Sequence, residues 1–452
     1  MKKLLITNGF FLLALNLFAQ PEITSWLQNT TQNGTYYVSG NSTPVDLGIL
    51  YNCQEVSYST NYVYVKTHGI PAYPTGPFLD GNPSIAEDQN AIFKIPRFPV
   101  EETGTKTPTT MGNIGVFING AVLFDNRDGV QWNTTSSALC GGPGNPPCPG
   151  GPTAVMDWSR DAVWAESSGF DCSKGHPAMG NYHHHQNPSA FKLDLNVVSN
   201  ICNLYDADGL YAIDPNQHSP LIGYAYDGFP IYGAYGYLNT NGTGGIVRMK
   251  SGYELGTTTD RTTWPDGTDV NDGPDFDATY FRGYFREDYM FVSHPEPDYL
   301  DEHNGRYCVT PEYPGGTYAY FCTVDDNYNS VYPYAVGPTF YGVWEDRKVS
   351  SITESVTVYE AVAATVEVED ILNRINVFPN PASDLVAVQV SGIVESDIQL
   401  ELKDMRGRTV ASNTIKAGQT IAYFDVSTLY AGVYLMHIAD SNKNKAIRVV
   451  VQ

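Results

Sequence analysis

Positive charge is scarce in this chain. Twenty-six Lys and Arg stand against 49 Asp and Glu, a formal net charge of −23 at pH 7. Such a surface repels phosphate polymers, so no nucleic-acid partner is expected; it suits divalent cations and a well-solvated exterior. Long apolar runs are missing too. After residue 19 no stretch approaches 18 apolar residues, so no transmembrane segment is expected in the mature chain. Extended 3.6-residue periodicity is absent, and Asp161–Ser167 is the best short helix candidate. There is no G-x-S-x-G elbow, H-E-x-x-H, P-loop or dinucleotide fingerprint, which argues against ordinary hydrolases, zincin proteases and nucleotide enzymes. The cysteines include no C-x-x-C pair, so a zinc ribbon is not expected.

What is abundant is aromatic and turn-forming: 32 Tyr, 42 Gly and 29 Pro in 452 residues. That mixture reads as short strands joined by loops, a mainly β chain of two or three domains. Its basic start (Lys2, Lys3), apolar run and small Ala19 read as a signal peptide over residues 1–19, cleaved before Gln20. Residues 20–99 read as an N-terminal β-rich part of the main domain. Strands are expected around Tyr36–Ser39, Tyr58–Lys66, Ala91–Ile95 and Gly115–Leu123, with Asn119-Gly120 as a two-residue hairpin turn.

All seven cysteines follow the signal, which suits an oxidising compartment. Cys140 and Cys148 bracket a tight Gly/Pro loop that can close on itself. A hairpin centred on Gly315 would set Cys308 opposite Cys322, where a disulfide can form. Cys172 with Cys202 is the remaining pair, and Cys53 is odd.

Five of the nine histidines lie in residues 175–233. If Asn181–Gln186 is extended, His183 and His185 share one face while Tyr182 and His184 point the other way. Two imidazoles at i and i+2 reach one ion, with His176, His218, His294, His303 or Asp227 as further ligands. Imidazole suits copper, zinc or iron, and also nickel. The plainer reading gives these histidines hydrogen bonds in a polar core, and gives Asp227-Gly228 the job of a capped turn. Five aspartates between Asp266 and Asp277 form either a solvated acidic loop or a calcium site, although not in EF-hand order.

Several ordered blocks resemble the bacterial YHYH domain family: Asn113–Gly120, Phe170-Asp171, Gly175-His176-Pro177, Gly180–His185, Ser219–Gly233, Leu300–Arg306 and Thr310–Phe321. The resemblance covers roughly residues 100–345. The name-giving Tyr-His-Tyr-His here reads Tyr182-His183-His184-His185, so its third position departs from the pattern. The family is exported and implies no agreed activity, so the sequence assigns no reaction. Beyond a connector at 346–372, residues 373–452 carry Pro379-Asn380-Pro381, Asp404-x-x-Gly407 and Leu429-x-Ala-Gly432-Val-Tyr434. These resemble the C-terminal sorting domain of type IX secretion cargo, which implies an Ig-like β-sandwich, the type IX machinery as partner, and a Bacteroidetes-type protein that is secreted or held on the outer cell surface.

Two functions follow. In the first, a histidine-rich YHYH-type domain binds a transition metal and is delivered outside the cell. In the second, a non-enzymatic surface module binds glycans or other polymers and its histidines are structural.

Overall fold

The computed structural model describes residues 20–452 except 39–43, 79–83, 143, 152–153, 172, 189–215, 328, 361–374, 391–395, 417–418 and 440–443. The signal segment, Cys172 and Cys202 therefore lie outside the described residues. The chain is mainly β and forms two compact units, divided between Tyr359 and Glu360.

In the first unit an eight-stranded sheet runs in the order Gly175–Ala178, Asn181–His184, Val122–Phe124, Asn113–Phe117, Leu221–Ala225, Pro230–Tyr232, Thr317–Phe321 and Gly305–Cys308. A five-stranded sheet runs Lys348–Val349, Ala91–Pro96, Tyr62–Thr67, Cys53–Tyr58 and Thr357–Val358. Both line one core: Val56, Val65 and Phe93 from the smaller sheet pack in the same cluster as Val116, Ile231 and Tyr320 from the larger. Ile23, Trp26 and Ile70 belong to that cluster too, so residues 20–99 do not build a core of their own. The expected connector also begins later, because the chain returns to the smaller sheet at Lys348–Val349 and Thr357–Val358.

Local chemistry explains two elements near the histidines. The Asn119-Gly120 hairpin forms, but with three loop residues. The Gly120 N–H donates to the Phe117 carbonyl (2.8 Å), and Gly120 sits at φ 82°. That is a turn followed by a left-handed residue, a position that favours glycine. The short helix is Ala162–Ala165, capped by the Asp161 carboxylate, which accepts from the Val163 N–H at 2.7 Å. It ends at Glu166 and a 3₁₀ turn, Ser167–Gly169.

Cys140 and Cys148 form a disulfide. The Cys308–Cys322 pair needs correction. The strand Gly305–Cys308 pairs with Thr317–Phe321 so that Cys308 faces Thr317, and Cys308 is a free buried thiol. The loop between these strands makes two tight bends, one at Thr310–Tyr313 and one at Tyr313–Gly316, so its midpoint falls between Glu312 and Tyr313 and not at Gly315. This moves the register by several residues and carries Cys322 past the end of the pairing. Cys53 is also a buried free thiol.

In the second unit a three-stranded antiparallel sheet (Ile375–Phe378, Leu385–Val390, Ile421–Asp425) and a four-stranded one (Thr409–Ile415, Ile398–Lys403, Gly432–Ala439, Asn444–Val451) share a separate core. Val386, Val388, Leu400, Leu402 and Met436 fill it, in sandwich fashion. The Asp404-x-x-Gly407 motif is a turn: Asp404 Oδ1 accepts from the Arg406 and Arg408 N–H groups, and Gly407 takes φ 80°.

Candidate metal centre

The strands Gly175–Ala178 and Asn181–His184 are antiparallel, with His176 directly opposite His183. Period-two alternation puts His183 and His185 on the same side. Their Nε2 atoms are 3.1 Å apart, and the ligand atoms of His176, His183 and His185 all lie within 4.8 Å of one another. All three side chains are buried. Phe124 stacks on His183, ring centroids 3.8 Å apart at 18°, and Phe170 lies edge-on to His176.

The far side of each ring decides the chemistry. His183 Nδ1 is 2.9 Å from the Asn181 carbonyl and His185 Nδ1 is 2.6 Å from the Asp125 carbonyl. A carbonyl only accepts, so both Nδ1 atoms carry hydrogen. In the neutral rings both Nε2 atoms then present lone pairs to each other across 3.1 Å. Two acceptors cannot satisfy one another, so the arrangement calls for a positive centre between them, a proton or a metal ion.

A fourth group converges on the same point. Glu166 Oε2 lies 3.2 Å from His176 Nε2 and 3.1 Å from His185 Nε2. Burial opposes ionisation of Glu166, but the close approach of His176 and His185 outweighs it and holds the carboxyl well below the usual range. Burial likewise disfavours a charged His185, yet the Glu166 carboxylate outweighs it and raises the imidazole. His183 moves the other way: burial first, then the neighbouring His185 and His176, push it well below its ordinary value and leave it neutral. Without a metal, then, Glu166 favours the charged form of His185, beside a neutral His183. The three contacts, at 3.1–3.2 Å, match the edge of a tetrahedron around an ion with ligands at about 2.0–2.1 Å, which is roughly 3.3 Å.

The opposite face of the strand is structural. Tyr182 donates to Asp171 Oδ2 at 2.8 Å, and His184 Nε2 meets the Tyr73 hydroxyl at 2.8 Å. Asp171 also accepts from the N–H groups of Gly76, Ser173 and Gly175. Burial holds His184 down to about 3, so it stays neutral there. Gly175 is required by close approach: a Cβ there would sit 2.3 Å from the Tyr182 hydroxyl.

The remaining sequence candidates are elsewhere. His218 bonds the Ser219 carbonyl and packs among Tyr232, Tyr237 and Phe321. His303 Nδ1 is 2.6 Å from Thr339 Oγ1, and His294 stacks on Tyr299. Asp227 is a buried hub. Its Oδ2 accepts from the Tyr320 hydroxyl (2.5 Å) and the Gly342 N–H (2.8 Å), and its Oδ1 from the Phe229 N–H. Asp227→Ala leaves the buried Tyr320 O–H and the Gly342 N–H without their acceptor. It is expected to cost about 2–4 kcal/mol, seen as a lowered denaturation midpoint, and to leave metal content unchanged. The acidic loop Asp266–Asp277 gathers no metal-holding group among the described residues. Asp266 and Asp277 instead accept from N–H groups of their own loop. Sequence reasoning missed Glu166 and the two phenylalanines; the only signal near Glu166 was the short helix whose end presents it.

Fold and site together define a β-rich domain with a buried histidine cluster on its sheet, followed by a separate β-sandwich. The chain belongs to the YHYH protein family, whose model matches residues 92–332, more than half its length. Residues 376–452 match the secretion system C-terminal sorting domain. No curated protein matches the chain. The sorting domain makes this a secreted or cell-surface protein handled by the type IX secretion machinery. No described helix is long and apolar enough to cross a membrane.

Proposed function

We propose that the YHYH domain is an exported transition-metal-binding domain, with copper, zinc or iron held by His176, His183 and His185 and with Glu166 as fourth donor. The facing Nε2 atoms of His183 and His185, each fixed by a carbonyl behind it, carry this reading. Structural histidines in a polar core would instead direct a ring N–H at every neighbouring acceptor. Three imidazoles and a carboxylate form a borderline N/O set that suits these ions better than calcium or magnesium. Glu166 is the most exposed of the four side chains.

Competition against a chelator across pH tests the proposal. The ion must displace the proton that Glu166 holds on His185, so affinity rises with pH. Because His185 is raised above its ordinary value, the rise continues past about pH 6.5 before levelling off. Binding also releases protons. Glu166→Gln removes one donor and the group that keeps His185 charged. It is expected to weaken binding by about 10–100-fold and to shift the pH profile to lower pH. A pH-independent affinity, or a Glu166→Gln variant that binds as wild type does, would contradict this ligand set.

A further inference from the structure

The eight-stranded sheet consists of two halves with the same plan. From either edge inwards comes an edge hairpin, whose second strand runs parallel to the second strand of an inner hairpin. The halves meet where Asn113–Phe117 pairs antiparallel with Leu221–Ala225, centred on Val116 opposite Tyr224. Ile114-Gly115 and Asn119-Gly120 recur at the same spacing as Ile222-Gly223 and Asp227-Gly228. Hydrogen bonds recur with them. The Ile118 N–H donates to the Ile222 carbonyl at 2.9 Å, and reciprocally the Tyr226 N–H donates to the Ile114 carbonyl at 2.8 Å. The Gly120 N–H closes on the Phe117 carbonyl and the Gly228 N–H on the Ala225 carbonyl, both at 2.8 Å.

The edge hairpins correspond as closely. Asp171 Oδ1 accepts from the Ser173 and Gly175 N–H groups at 2.9 and 3.1 Å, and Asp301 Oδ1 accepts from those of His303 and Gly305 at the same distances. Tyr182 donates to Asp171 as Tyr318 donates to Asp301. His184 pairs with Leu123 as Tyr320 pairs with Ile231. This register sets Arg306 in the place of His176, Ala319 in that of His183 and Phe321 in that of His185. The same backbone plan therefore forms with no histidine at any of the three positions. What the second half holds there is a fixed cation. Arg306 is buried and lies over the Phe321 ring, 5.6 Å from its centroid. Its Nη1 donates to the carbonyls of Pro297 (2.8 Å) and Leu238 (3.1 Å), and its Nη2 to that of Tyr237. Pro297 stands shortly before Asp301, as Glu166 stands shortly before Asp171. Arg306 thus ties the segment leading into the Asp301 turn to the edge hairpin.

In the first half the corresponding donors are closed to solvent. Glu166 Oε2 and His176 Nε2 are buried, and His183 and His185 are only 2% and 4% exposed. Phe124 and Phe170 cover the rings. The exposure of Glu166 belongs to the rest of its side chain. Four enclosed donors fit a structural metal site, whereas a catalytic one keeps a position open to water or substrate. We propose that the metal centre is a structural clamp, the counterpart of Arg306, which joins the helix end at Glu166 to the hairpin bearing His176, His183 and His185. This rests on the metal reading of the cluster and gives the ion its role.

The test compares the full mature chain, metal-free and loaded with copper(II), the divalent ion that such a donor set holds most tightly. Excess azide, a small anion that enters an open copper position, should leave the visible absorption of the loaded protein unchanged. Loading should slow amide hydrogen exchange at least about tenfold across Ala162–Glu166 and Gly175–His184, because opening the clamp then requires losing the ion. The counterpart strands Gly305–Cys308 and Thr317–Phe321, held by Arg306, should change much less. The clamp is overturned, with the metal reading intact, if copper binds and azide shifts its absorption. It is overturned in the same way if exchange at the site changes no more than at the counterpart strands. A chain that takes up no copper overturns both.

Discussion

His183→Ala combined with His185→Ala is expected to reduce bound metal from about one equivalent to none. Single substitutions are less decisive, because two imidazoles and Glu166 still converge on the centre. The double variant removes both of the Nε2 atoms that face each other. It also removes the response to added metal. An ion at 100 times its Kd stabilises a protein by about 2.7 kcal/mol, so the wild-type melting temperature should rise on metal addition and that of the variant should not. The metal-free variant is itself less stable than the metal-free wild type, since two buried imidazoles leave a cavity beside Phe124 and free the Asn181 and Asp125 carbonyls. The comparison that matters is therefore the metal-induced shift within each protein.

Removing residues 376–452 is expected to abolish export in a host with the type IX machinery. The truncated protein should accumulate inside the cell envelope and vanish from the medium and outer surface, as read by fractionation and immunoblotting. The first unit should remain folded, because its core shares no residue with the core of the sandwich. The retained protein should keep its metal, which separates failure of export from failure of folding. Unchanged export of the truncated chain would contradict the role of this domain.

The sequence exposes local features of this protein more readily than long-range ones. β-Branched and aromatic residues mark the strands around Tyr62–Thr67 and Ala91–Pro96, and Asn119-Gly120 marks a real hairpin whose loop is one residue longer than expected. The shared face of His183 and His185 follows from strand periodicity alone. His176 joins them because its strand pairs with theirs across a tight turn. Glu166 could not be found in this way, since a short helix packed by tertiary contacts delivers it and no spacing rule links it to His176. The hairpin ending at Thr317–Phe321 shows the opposite error: a Gly-Gly pair suggested a centre at Gly315, but a further bend at Thr310–Tyr313 lengthens the loop and pairs Cys308 with Thr317. Asp227, His218 and His303 looked like ligands by residue type; Asp227 and His303 bond their own neighbours, and His218 sits among aromatic rings away from the cluster.

The central claim is that the buried histidine cluster holds a metal ion, and elemental analysis tests it most directly. The mature chain would be produced through an oxidising export route without a histidine tag, dialysed, and assayed for copper, zinc and iron. The account predicts about one equivalent of one such ion, retained on dialysis and removed by a strong chelator. A folded protein that carries no metal and takes up none when copper, zinc or iron is added would contradict it.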